Sequence, residues 1–115
     1  MRRFLLAESS PWLEKYNTLV EEVESGKRSF NGQKLTIHHI IPRSVDSSLA
    51  KDKDNQIWLP FKEHMDMHYW LWKHDSKFAK QLWFGCTYGR KHGLWDLPGG
   101  DAEYELLKKD LRKKK

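Results

Sequence analysis

Five side chains able to bind a metal or carry a proton fall within residues 38–68: His38 and His39 side by side, Asn55, and His64 and His68 four apart. Imidazole is the commonest nitrogen ligand for metals, and its charge changes closer to neutrality than that of any other ordinary side chain. Gathered in one place, these groups would hold a divalent cation and activate a water beside it, the equipment of a metal-dependent hydrolase. At i and i+4 on a helix, His64 and His68 would project from one face about a turn apart. The His-Glu-x-x-His pattern of zinc proteases is missing, because Glu63 precedes His64. Neighbours on a strand point to opposite faces, so His38 and His39 can share one site only through a bend or bulge near Pro42. Taken singly, a helical histidine pair is more often surface or core, and Asp54-Asn55 suits a turn. Their order is what carries weight.

That order requires elements to position it. Ser10-Pro11 reads as a helix start, and Trp12, Leu13, Tyr16, Leu19, Val20 and Val23 recur at helical spacing up to a stop at Gly26. Asn31-Gly32 is a turn signal. Leu35 to Ile41 is β-branched and reads as a strand halted by Pro42. Residues 43–54 form a polar loop, and Gln56-Ile57-Trp58-Leu59 a second short strand. After Pro60, one long helix is expected over Phe61 to about Phe84, ended by Gly85. Residues 85–100 read as irregular, and Asp101 as the cap of a last helix whose Tyr104, Leu107 and Leu111 share a face. The fold class is α+β, in one domain over residues 1–115.

Six Trp, five Phe and four Tyr supply much of the apolar bulk. Trp58, Trp70, Trp72 and Trp83 are expected in or over the core, and Cys86 as a small buried residue. One cysteine excludes an intrachain disulfide and any Cys-x-x-Cys zinc knuckle, so a reduced, intracellular (cytoplasmic) setting is expected. No apolar run approaches the ~20 residues that span a membrane, and the apolar stretch after Arg2-Arg3 is too short for a secretory signal. The formal net charge is +5, with seven basic and six acidic residues in 1–50 against fourteen and ten in 51–115. Such an excess favours a polyanionic partner.

His38-His39-Ile40-Ile41-Pro42-Arg43-Ser44, then Asn55, then Lys62-Glu63-His64-Met65-Asp66-Met67-His68 strongly resembles the HNH endonucleases, whose fold is the ββα-metal hairpin and helix. The nearest likeness is to small free-standing members from bacteriophages and mobile elements, and the motif covers residues 35–74. The resemblance implies a ββα-metal core flanked by N- and C-terminal helices. It implies that His38 ligates the cation, that His39 is the general base, that Asn55 holds the base-bearing loop, and that His64 and His68 complete the metal site. It also implies cleavage of DNA, as a nick or, from a homodimer, a double-strand cut. The cell would then be a host during phage infection, with a homing role or phage packaging proteins as partners. Two positions depart from the family pattern: Val45-Asp46-Ser47-Ser48 replaces a common Gly-Gly, and Pro60 stands where Ser or Thr often caps the helix. Both bear on loop conformation more than on chemistry.

An imidazole-rich site suits Zn, Ni, Co or Mn by ligand softness, while family sites also use Mg. Arg43 is placed to clamp a phosphate or to pair with a carboxylate. Arg90, Lys91, Lys108, Lys109, Arg112 and Lys113 are further phosphate-contact candidates that equally suit solubility and a helix C-terminus. Asp75, seven past His68, returns to the metal face as a candidate acceptor behind an imidazole. Two other readings stand beside the nuclease: a DNA-binding or genome-packaging accessory protein with a structural or degenerate metal site, and a structural zinc domain with a protein partner.

Overall fold

The computed structural model describes residues 10–112, so Lys113 and the residues before Ser10 lie outside the account. The protein is α+β and mostly helical, with one small antiparallel two-stranded sheet. It divides into two compact units between Pro60 and Phe61.

In the first unit, helix α1 covers Pro11–Glu24. The Ser10 side chain accepts from Leu13 N at 3.3 Å and Pro11 occupies the first turn, where its missing N–H costs nothing. Gly26, at φ +80°, takes the left-handed conformation that ends the chain's helical course. Leu13, Tyr16, Leu19 and Val20 form its buried stripe. Strand β1 (Thr36–His39) pairs with β2 (Gln56–Leu59) one residue to one, from Thr36 opposite Leu59 to His39 opposite Gln56. Thr36, His38, Ile57 and Leu59 share one face, and Ile37, His39, Gln56 and Trp58 the other. β1 is shorter than expected because Asn55, rather than a strand, takes both backbone groups of Ile41. The expected bulge is also absent from these four residues: the ladder is regular.

In the second unit, α2 covers Phe61–His74, α3 Ala79–Lys91 and α4 Asp101–Arg112. The single long helix expected over 61–84 is therefore two. At the break Asp75 is extended, and its carboxylate accepts from Lys77 N at 3.0 Å, capping a short 3₁₀ turn over Ser76–Phe78. Aspartate competes locally for backbone donors in this way, and apolar periodicity running on both sides concealed the stop. Asp75 is thus a cap, and the expected support to an imidazole is replaced by this local bond. Gly85 does not end a helix either. It lies within α3, and a Cβ there would overlap Met65 Sδ and Cε. At the start of α4, Gly100 (φ +69°) offers the first carbonyl, accepting from Tyr104 N at 3.1 Å, while Asp101 is helical and bonds Arg90.

α2 packs on α3, and α3 on α4. Met65, Leu71, Trp72, Phe78, Leu82, Cys86 and Leu107 are buried here. Polar bonds lock α4 to α2: Tyr69 OH donates to Glu103, Lys73 Nζ lies 3.3 Å from Glu103, and Trp72 Nε1 donates to Asp110 at 2.7 Å. Burial, then the Glu103 carboxylate, pushes the Tyr69 hydroxyl well above the usual tyrosine range. Burial likewise raises the Cys86 thiol to about 11, so it is an inert packing group. No helix among the described residues is long and apolar enough to cross a membrane.

Gly89 and Gly85 make a paired test of this packing. A Cβ at Gly89 would meet the Phe61 ring edge at 2.9 Å and the Trp95 carbonyl at 3.1 Å, both firmly held, whereas at Gly85 it meets only the flexible end of Met65. Alanine gains up to about 1 kcal/mol of helix propensity over glycine, while overpacking costs about 1–3 kcal/mol. Urea denaturation is expected to find Gly89→Ala destabilised by about 1 kcal/mol or more and Gly85→Ala closer to neutral.

Candidate metal and hydrolytic site

Asn55 closes the 3₁₀ turn Lys53–Asn55, directly before β2, and is 0% exposed. Its Oδ1 accepts from Ile41 N at 2.8 Å, and its Nδ2 donates to Ile41 O at 3.1 Å and Leu49 O at 3.2 Å. Its own backbone carbonyl accepts from Ile40 N at 2.9 Å. One buried amide thus ties the end of β1, the middle of the 40–55 connection and the start of β2. All three of its side-chain bonds go to backbone groups.

The connection so held delivers the carbonyl of Ala50 to the imidazole of His39, at 2.9 Å from Nε2. A carbonyl oxygen only accepts, so the ring proton of neutral His39 resides on Nε2 and the lone pair on Nδ1. Gln56 Nε2, across the ladder from His39, donates to the same oxygen at 3.3 Å. His39 is half-buried. A fixed imidazole with its basic nitrogen turned away from its own anchor has the form of a general base.

His38 points to the other face and is 1% exposed. Its Nε2 lies 2.6 Å from the Tyr16 hydroxyl, and the two rings meet edge to face at a centroid distance of 5.7 Å. The pair therefore divides its labour by strand alternation: one ring toward α1, one toward the 40–55 connection.

In the second unit, His64 and His68 stand one turn apart near the start of α2, half-buried, with ring centroids 4.9 Å apart and planes 31° from parallel. The i, i+4 spacing thus brings two imidazoles side by side, as its periodicity requires. Met65, Tyr69 and Trp72 hold the helix by its buried side.

The basic candidates fall into two groups. Arg90 is engaged by Asp101, lies 3.7 Å from Asp96 and stacks on Tyr104 at 4.5 Å, and Lys108 lies 2.9 Å from Glu105. Arg43, Lys91, Lys109 and Arg112 are exposed. Of the tryptophans expected in or over the core, Trp58 is 52% exposed and Trp72 is buried. It lies beside Ile37 on the face that also carries His39 and Gln56. Sequence reasoning missed two participants. Tyr16 looked like one more apolar-stripe residue, its signal being a hydroxyl among aliphatic neighbours. Ala50 acts through its backbone and leaves no signal at all.

No protein-family model, curated protein or solved structure matches the chain.

Asn55→Ala would leave Ile41 N, Ile41 O and Leu49 O without their partner in a part-buried place. Each such loss costs about 1–3 kcal/mol, so urea denaturation is expected to find a loss of at least about 2 kcal/mol. Asn55→Asp keeps the acceptor but sets a carboxylate against two carbonyls, and is expected to be no better.

Proposed function

We propose that this chain is a divalent-metal-dependent HNH endonuclease of the ββα-metal type that hydrolyses phosphodiester bonds in DNA. The observation that carries the reading is the His39–Ala50 hydrogen bond, which gives the second histidine of the pair the tautomer and orientation of a base. The motif that resembles the family and the chain order strand, strand, helix support it further.

His38, His64 and His68 would hold one cation: Mg, Mn, Zn or Ni. A set of three imidazoles fits a borderline divalent ion, with phosphate and water oxygens completing the shell. When bound, the cation supplies charge against the scissile phosphate and the departing oxygen. His39 Nδ1 removes the proton from the attacking water, whose oxygen forms the new bond to phosphorus while the bond to the 3′ oxygen breaks. The resulting imidazolium keeps its Nε2–H on the Ala50 carbonyl. The 3′ oxygen takes its proton from solvent. Exposed Arg43, Lys91, Lys109 and Arg112 suit phosphate contacts better than Arg90 and Lys108, which already answer carboxylates. Trp58 presents an aromatic surface on the face of the base.

A supercoiled-plasmid nicking assay tests the reading. Cleavage is expected with a divalent ion, to vanish with chelator and to return on re-addition. His39→Ala is expected to lower the rate by roughly 10²–10⁴-fold with zinc affinity unchanged in calorimetry. Binding of DNA with no cleavage under any of the four ions would leave the accessory-protein reading in its place.

Binding should rest mainly on phosphates. Affinity is then expected to fall by roughly 0.9 log units per log unit of salt for each phosphate neutralised. Arg43→Ala should flatten that slope by about one contact. A salt-independent affinity would remove the phosphate-contact assignment.

A further inference from the structure

Tyr16 sits in the buried stripe of α1, outside the stretch that resembles the HNH motif, and is 0% exposed. Its hydroxyl lies 2.7 Å from the Ile40 carbonyl as well as 2.6 Å from His38 Nε2. A phenol has one proton, and a carbonyl oxygen can only accept. The Tyr16 proton therefore goes to Ile40. The contact with His38 must then run the other way, with Nε2–H donating to the phenol oxygen. Neutral imidazole carries one ring proton, so the lone pair of His38 is on Nδ1.

We propose that Tyr16 is the positioning residue of the cation site: it selects the Nε2–H tautomer of His38 and fixes the ring so that Nδ1 is the ligating nitrogen. The proposal rests on His38 being a ligand, as argued above. Ligating histidines commonly give their second N–H to an oxygen acceptor that sets the tautomer and raises basicity. Here that acceptor is itself oriented, because donation to Ile40 O leaves only lone pairs facing the ring. Ile40 adjoins the histidine pair and its N–H is held by the Asn55 carbonyl. The phenol therefore reads the same backbone that sets the position of His39. This gives α1 a task in the chemistry, beyond burying apolar surface.

The test uses the full chain. In the metal-free protein, long-range ¹H–¹⁵N spectra of the histidine rings are expected to show His38 as the Nε2–H tautomer, and Tyr16→Phe to yield a mixture. Calorimetry with Zn²⁺ alone is expected to find affinity 10–100-fold weaker in Tyr16→Phe. Leu19→Ala, which trims the same helix stripe without touching the hydroxyl, is expected to lower the melting temperature while leaving tautomer and affinity unchanged. An Nδ1–H tautomer in the wild-type protein, or unchanged zinc affinity in a folded Tyr16→Phe, would overturn the role of Tyr16 alone. Zinc affinity that is also indifferent to His38→Ala would overturn the ligand reading beneath it.

Discussion

The first unit depends on the buried side chain of Asn55. A two-stranded pair with four residues in each strand is too small to hold itself in water, and residues 40–55 between them are a long connection to order. Asn55 answers both problems with one amide. Its three side-chain bonds substitute for a third strand at Ile41 and clamp the connection at Leu49. An amide suits this place because it offers an acceptor and two donors without charge. Aspartate, serine or threonine would leave at least one of the three backbone groups unmet. The position of the Ala50 carbonyl, and through it the His39 ring, follows from that clamp.

Adjacent histidines on a regular strand would ordinarily be expected to do unrelated things, since they face opposite sides. Here the two rings are treated alike by their surroundings. Each has an oxygen at Nε2: the Ala50 carbonyl for His39 and the Tyr16 phenol for His38. Each is thereby left with its lone pair on Nδ1. The two rings differ in environment. His39 is half-buried, its ring set on a backbone carbonyl. His38 is fully buried, its ring set against a phenol. No bulge is needed to give the two neighbours different partners.

Local structure was legible in the sequence wherever a residue's own chemistry decides it. Ser10-Pro11, Gly26 and Asn31-Gly32 set their turns and ends without outside help, and Gln56–Leu59 is the second strand as read. The failures share one cause. Gly85 looks like a stop until Met65 is seen to lie against it, and Asp75 looks like an acceptor behind an imidazole until its carboxylate turns back on Lys77 N. Trp58 reads as a residue in or over the core, and strand alternation sets it outward opposite Ile37. The site divides in the same way. The imidazoles were visible by type and spacing, whereas Tyr16 and Ala50 become partners only through tertiary placement.

The charge pattern carries a related lesson. The excess of basic residues in 51–115 suggested a broad basic surface, but several of those cations face local acids: Lys62 with Asp66, Lys73 with Glu103, Arg90 with Asp101, Lys108 with Glu105. Apart from Lys73 with the buried Glu103, such exposed pairs add little stability, typically less than about 1 kcal/mol each. Their larger effect is on the field. A cation beside a carboxylate is close to neutral at a Debye length of about 8 Å in physiological salt. Attraction for a polyanion therefore concentrates on the exposed cations outside those pairs, among which Lys34 and Arg43 flank the histidine pair in sequence. An uncompensated cation of this kind attracts a polyanion more effectively than a larger but internally compensated charge.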